Sequence, residues 1–437
     1  MKKTILIISF CIIIPIITIV IVYFVSFKPV NIGYIEPLPT NVICVGDEYV
    51  IDYKKLSEKT TTEYLKQANI YDEYTVDLSQ YKLKTSNKSI IIKDGKLIAN
   101  KPGICEIYFE KTKFLNKTRR VSVDVVSVAE TNYADYTKIE KPADFYDKIS
   151  VNPNGKFIIS SDLDFTGIEF KTINEFGGIL INPDKHKITN ITYTINQERD
   201  SVLFGTLKEN AIIIGLRFYN CNVNSNCIFK DFSFMSINQL DGGNNSWSRI
   251  KDCRFYDMNY DFSNCERNPG DYEQARVVLI ATSSATLFDK VSWTGNVVIS
   301  DSIILYGFSS YILAESSPFA ITSDYYVNCN VEIPEEKFDP LLEASPMSWE
   351  CGMLKDSYLV YTGCVSRRTF KFYYTSSYDN VYYCSKRDER LAPQSAGSAA
   401  TEARELETYE KLTSGDKSSI TGLNNYNFKE GILPWIE

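Results

Sequence analysis

Apolar and polar positions divide the chain into stretches with different periods. Ile5–Phe27 is almost continuously apolar, and its length at about 1.5 Å per residue makes a helix of roughly 35 Å, enough to cross a bilayer with some tilt. Pro15 near its middle predicts a kink, which membranes tolerate. From about 35 to 128 the segments VICVGDEYVIDY, SIIIK, KLIAN, ICEIYFEK and RRVSVDVV alternate and are rich in β-branched and aromatic residues, which predicts short strands. Asp94-Gly95 separates two of them as a two-residue hairpin turn, and Lys101-Pro102-Gly103 makes the next reversal. Ala129–Ala143 reads as a linker. Beyond it, an aliphatic residue, an Asp or Gly and an alternating strand recur in IIGLRFYNCNV, RIKDCRFYDMN, LFDKVSWTGNV, ITSDYYVNCNV, LKDSYLVYTGC and YDNVYYCS.

The anchors of that recurrence are Gly215, Asp252, Asp289, Asp324, Asp356 and Asp379, spaced by 37, 37, 35, 32 and 23 residues. A repeated strand-bearing unit predicts a solenoid, in which each coil buries its face against its neighbours. The Asp or Gly marks a turn into the strand, and GNNSWS, CERNPGDYEQ and IPEEKFDPLLEASP are excursions from the coils. Near the end, Ala396–Leu412 predicts a helix that caps the last exposed strand edge; a partner-binding helix is the other reading. The expected fold class is all-β. A transmembrane helix occupies 1–28, a β-sandwich 35–128, a linker 129–143, a right-handed parallel β-helix 144–390, and a cap or tail with a short helix 391–437.

Charge around the apolar run orients it. Lys2 and Lys3 precede it and only Lys28 follows closely, which predicts a cytoplasmic N-terminus and extracellular C-terminal domains. A cleaved signal peptide would carry a shorter apolar region and a small-x-small site, and the exit VSFKPVNIG has none. Bulky Phe10 before Cys11 argues against a lipid-attachment cysteine. The expectation is an uncleaved single-pass anchor in the cell membrane.

Composition narrows the function classes. A net charge of −8 and a pI near 5.1 argue against nucleic acid as a partner. The 30 Tyr and 24 Phe favour strands. Eleven cysteines include Cys11 in the apolar run; the other ten, in an exported chain, permit disulfides. Small buried apolar side chains are an equally good reading, and Cys44 with Cys105 is the first pair to test. No CxxC occurs, so a thiolate zinc site has little support. No cofactor or metal is expected.

Two family resemblances attach to these motifs. Val45-Gly46, Ser86-Asn87, Asp94-Gly95 and Lys101-Pro102-Gly103, in that order, resemble bacterial Ig-like domains of group 2, with Leu56–Leu78 departing as a polar insertion. The resemblance implies a spacer or adhesion module. Asp162 and Asp164, His186, Leu203-Phe204-Gly205 and the closing KEGILPWIE resemble bacterial surface proteins of the GLUG-repeat kind within the pectin-lyase-like superfamily. Asn-Pro-Asp replaces the Gly-rich turn before His186, and perfect repeat units are missing. The implied fold is a parallel β-helix.

Candidate chemistry is sparse. Asp162 and Asp164 lie two apart, so on one strand face they stand about 7 Å from each other, a separation compatible with an inverting glycosidase pair. A place in the first structural coils, or a calcium site, are the competing readings. His186, the single histidine, excludes two-histidine sites and reads as a polar turn residue. Arg249-Ile250-Lys251 is one tripeptide of a polygalacturonase-like set whose other members are missing. Arg367-Arg368 and Arg387 have no acids placed beside them. Trp247, Trp293 and Trp349 either stack on sugar rings or fill the core. Sequons stand at Asn87, Asn116 and Asn190. The expected function is non-catalytic adhesion, or binding of a glycan, cell-wall or host-surface ligand. The alternatives are a polysaccharide lyase or glycoside hydrolase on a solenoid groove, and a structural stalk.

Overall fold

The computed structural model describes residues 30–31, 33–34, 38, 41–52, 61–62, 81–111, 119–130, 133–208, 211–225, 227–239, 248–262, 275–281, 286–299, 303–306, 325–327, 330–333, 343–345, 353–361, 378–384, 404–405, 409–420, 426–430 and 432–435. Two compact units divide the chain, Met1–Ala134 and Asp135–Glu437. The apolar run Ile5–Phe27 lies outside the described residues. Among those described, no helix is long and apolar enough to cross a membrane.

The first unit is a sandwich of two sheets. In one, the long strands Gly103–Lys111 and Arg119–Ala129 run antiparallel, flanked by Lys82–Thr85 on one side and by Val42–Cys44 and Val30–Asn31 on the other. In the other, Lys96–Ala99 lies between Glu48–Val50 and Ile90–Lys93. The two sheets share one interior, as in a β-sandwich. Alternation explains the core: Cys105, Ile107 and Phe109 on one strand, Val126 and Val128 on its neighbour, and Ile90, Leu97 and Ala99 from the facing sheet are buried together. Turn chemistry follows the sequence. Asp94 and Gly95 both take positive φ (52° and 75°) between paired Lys93 and Lys96, the conformation a two-residue hairpin needs. Asn87 holds the reversal near Gly103, accepting from Ser89 N and donating to Ile104 O.

Three expectations for this unit change. Its strands begin at Val30, ahead of residue 35. The linker expected over 129–143 contains the strand Thr137–Ile139 and the start of the helix Pro142–Val151. Cys44 and Cys105 do not meet: Cys44 is paired with Ala129 and Cys105 with Val126, so the Arg119–Ala129 strand stands between them. Two strand spacings are about 9.5 Å, beyond what a disulfide can span.

The second unit is a stack of coils. Successive turns of chain lay strands parallel in three sheets, the longest running from Thr137–Ile139 to Arg404–Glu405. These parallel, in-register layers are those of a parallel β-helix. Ile158, Ile181, Ile214, Lys251, Asp289, Val327, Lys355 and Asp379 are partners in that order, 23, 33, 37, 38, 38, 28 and 24 residues apart. Gly215 and Asp252 follow this column and take positive φ, 80° and 51°, but the next left-handed residue is Lys290, not Asp289. Asp356 follows the column as expected, Asp379 belongs to it, and Asp324 lies outside the described residues. The described anchors therefore run along one corner to within a residue.

Inside the coils, columns of apolar side chains stack. Leu163, Ile188, Phe218, Phe255 and Trp293 are register partners and fully buried. Phe218 and Phe255 stack at 5.2 Å and Tyr260 meets Trp293 at 5.7 Å. A stack of this kind leaves its first layer open, and Pro142–Val151 covers it. Proline at the start suits a first helical turn, with Asp144 near the N-terminal end and Lys148 near the other. Phe145 and Ile149, four residues apart, form the buried face, and Phe145 packs on Phe170 and Phe204 at 5.7 and 6.4 Å. At the far end, the helix expected over Ala396–Leu412 is replaced among the described residues by a strand, Arg404–Glu405, and a five-residue helix, Tyr409–Thr413.

Candidate functional site

The corner after Ile188–Thr189 repeats in successive coils and carries the solenoid's clearest outward pattern. Asn190, Asn220 and Asp257 take left-handed φ of 61°, 53° and 53°, a conformation that Asn and Asp tolerate better than most residues. Asn190 Nδ2 donates to Asp164 Oδ1 at 2.9 Å, and Asn220 Nδ2 donates to Asn190 Oδ1 at 2.7 Å. The result is a ladder of like amides one coil apart, of the kind that stabilises stacked parallel strands.

On either side of the ladder the exposed positions are also matched. Thr189, Tyr219 and Tyr256 are register partners before the corner. Thr192, Asn222 and Asn259, and then Thr194, Asn224 and Asp261, are partners after it. Their neighbours Tyr193, Val223 and Tyr260 point inward and are buried, so alternation leaves the polar set on the outer face. Tyr219 and Tyr256 stack at 4.9 Å, and the Lys187 ammonium lies 5.5 Å from the Tyr219 ring centre. Partial burial pushes the Tyr256 phenol above its ordinary range. Both rings are only half-buried. The face combines flat aromatic surface with rows of hydroxyl and amide groups.

Asp162 and Asp164 stand at the near end of this face, flanking buried Leu163, and each uses its Oδ1 in structural bonds. Asp162 accepts from Lys187 N at 2.8 Å and has His186 Nδ1 at 3.4 Å. Asp164 accepts from Asn190, the Thr166 hydroxyl and Thr166 N, and these bonds hold its pKa at about 2. Both therefore tie coil to coil or close a turn. His186 is the turn residue expected: its N–H and C=O are held by the Asn182 side chain.

Other candidates fall elsewhere. Trp293 is a core residue, fully buried, so it offers no sugar platform; Trp247 and Trp349 lie outside the described residues, as do Arg367, Arg368 and Arg387. Arg249 and Lys251 are buried on either side of core Ile250, not displayed in a cleft. The Asn87 and Asn190 amides are engaged in turns, and Asn116 is outside the described residues. Cys221 and Cys253 are buried thiols pushed up to about 12 by desolvation, which leaves them unreactive. Among the described residues no group of three or more His, Cys, Asp or Glu is arranged to hold a metal.

A second polar cluster supports the other corner. Arg217 and Arg254 are both nearly fully buried; Arg217 donates to Asp252 Oδ2 at 2.9 Å, and the Arg254 guanidinium forms an ion pair with Oδ1 at 3.0 Å. Arg217 also bonds the carbonyl of Asp252, and Arg254 that of Lys290. These guanidinium groups satisfy the carbonyls of left-handed corner residues in the adjoining coil. Sequence reading missed both this cluster and the tyrosine stack, since their members lie 35 to 37 residues apart.

No family model matches the chain, and none of the curated proteins compared with it does. A solved structure titled IgA1 Protease is similar to it with a TM-score of 0.35 and 11% identity, over 86% of this chain and 32% of that one. This chain thus spans about a third of that protein's length, and a likeness so distant carries no argument about function.

Proposed function

We propose that the chain is a membrane-anchored cell-surface protein, held by Ile5–Phe27, that binds a glycan or cell-wall polymer without cleaving it. The observation that carries this reading is the outer face around Tyr219 and Tyr256, where rows of Thr, Asn and Asp repeat once per coil beside stacked rings. A polymer of hydroxyl-rich units laid along the stack would meet Thr, Asn or Asp at each of three coils and aromatic surface at two of them. The use of Asp162 and Asp164 in bonds that tie coil to coil and close a turn favours a structural role for the pair, and with it binding over hydrolysis. The immunoglobulin-type unit then serves as a spacer.

The test is a glycan and cell-wall-polymer array probed with the protein, run beside a reducing-sugar release assay. Binding that falls by about tenfold or more in Tyr219→Ala with Tyr256→Ala supports the reading, since aromatic contacts concentrate binding energy. Release of reducing sugar that disappears in Asp164→Asn would overturn it in favour of a polysaccharide-cleaving enzyme. Absence of any ligand would leave a structural stalk.

A further inference from the structure

The amide ladder on the outer face has a carboxylate at each end, and the two ends are in different states. At the first, Asp164 Oδ1 accepts from Asn190 Nδ2, the Thr166 hydroxyl and Thr166 N at 2.9, 2.7 and 3.0 Å. At the other, Asp257 stands where a further amide would continue the ladder. Asn220 N donates to Tyr256 O at 3.0 Å, and Tyr219 pairs with Tyr256, so Asp257 follows Asn220 in the stack. Asn259 Nδ2 donates to the Asp257 carbonyl at 3.0 Å, but the exposed carboxylate accepts from no donor among the described residues. Beyond it the register shifts. Phe255 pairs with Trp293 and Met258 with Gly295, three steps of chain against two, so Asp257 has no counterpart in the next coil.

The break in the ladder has a chemical cause. An ionised carboxylate can only accept, so it gives nothing to Asn220 Oδ1, and that oxygen too receives no bond among the described residues. Two acceptors therefore stand on neighbouring rungs, which are about 4.8 Å apart. Beside them, half-buried Tyr219 and Tyr256 offer phenol hydroxyls, and Asn222 an amide, with no bonding partner among the described residues. Such a corner fits a ligand rich in donors that also has an apolar edge for the rings. Two hydroxyls on adjacent carbons can both donate to one carboxylate, as the fork of a guanidinium does, and bonds to an ionised acceptor are roughly twice as strong as neutral ones. A carboxylate or phosphate on the ligand would meet like charge at the same point.

We infer that Asp257 is the residue that selects the polymer: its carboxylate receives two neighbouring hydroxyls of one sugar unit while Tyr256 lies against that unit. The preferred ligand is then a neutral polysaccharide with free adjacent hydroxyls, not an acidic one. This rests on the binding reading proposed above and narrows it to a substrate class.

The experiment measures binding of the full chain to three immobilised polymers. One is a glucomannan, whose units keep adjacent hydroxyls free. The second is a β-glucan whose linkage falls between its free hydroxyls, and the third is polygalacturonate, which adds a carboxylate to each unit. Glucomannan should bind far above the other two. Periodate, which cleaves the bond between adjacent hydroxyl-bearing carbons, should lower its binding by about tenfold or more, and Asp257→Asn by a similar factor. The melting temperature of Asp257→Asn should not fall, since an amide there can donate to Asn220 Oδ1 and extend the ladder. Unchanged binding by Asp257→Asn, together with a loss in Tyr219→Ala with Tyr256→Ala, overturns the inference and spares the binding reading. So does equal or stronger binding to polygalacturonate or the β-glucan, or binding confined to array polymers without free adjacent hydroxyls. Binding that is lost on chelation and restored by calcium assigns Asp257 and Asn220 to a bridging cation and overturns direct contact with hydroxyls. Failure of every polymer, here and on the glycan array, removes the binding reading and the inference together.

Discussion

The sandwich and the solenoid are built from similar short alternating strands, yet they close their cores in opposite ways. In the sandwich, two small sheets face each other, and residues as distant as Ile43 and Val128 complete one interior. Every layer is covered by the fold itself. In the solenoid, each coil covers only the next, so a column such as Leu163, Ile188, Phe218, Phe255 and Trp293 must be ended by something outside the repeat. The helix Pro142–Val151 does this at the first coil. A two-sheet fold is thus self-sealing, whereas a stack depends on its caps and on in-register corners.

The comparison can be tested by changes that should strike one unit and spare the other. The largest effect is expected for Trp293→Ala, a loss of about 3–5 kcal/mol, read by denaturant unfolding with hydrogen exchange followed separately in each unit. Exchange in the Gly103–Lys111 and Arg119–Ala129 strands should not change; a parallel loss there would mean that the two units unfold as one. Asp252→Ala comes next. It strips Arg217 and Arg254 of their shared carboxylate, and about 2–3 kcal/mol is expected, below the value for a fully buried pair because Asp252 keeps contact with water.

Smaller effects sharpen the contrast. Gly95→Ala places a side chain at φ 75° with no atom within 4 Å of the added Cβ, so only backbone strain is felt. About 1 kcal/mol should be lost from the sandwich alone, visible as a shift of its unfolding midpoint. The smallest is an acid-side effect at Asp164. Its folded pKa, about 2, is depressed below the ordinary carboxylate value, so its bonds support the fold above the unfolded pKa and are lost as pH falls through about 2. A carbon-detected titration should place its midpoint there, and Asp164→Asn should remove that step; a midpoint near the ordinary carboxylate value would disprove the Asn190 and Thr166 bonding.

Much of the architecture was legible in the residues. Asp94-Gly95 announced a two-residue turn because few residues adopt positive φ cheaply, and the sandwich strands followed from their alternation. The recurrence at Gly215 and Asp252 announced the solenoid for the same reason. The capping helix was not legible: PADFYDKISV presents only Phe145 and Ile149 to the interior, too little periodicity to outweigh a polar linker reading. For Trp293 the sequence left both a sugar platform and a core position open, since an aromatic residue in an alternating strand carries no label saying which face it takes until its register is known. Cys44 and Cys105, the first pair to test, stay free in the same way, because both lie in strands of one sheet but an intervening strand separates them.

Local chemistry in the sequence was sufficient to determine which segments become strands, where the backbone must take left-handed turns, and that the folded units follow an apolar run. Only tertiary structure decided which rungs became neighbours. Pairing across 25 to 39 residues brought Tyr219 to Tyr256, Asp252 to buried Arg217, Asp162 to Lys187 and Phe255 to Thr294. The reason is physical: periodicity is written in nearest neighbours along the chain, whereas coil register depends on how much chain each loop consumes before the next strand returns.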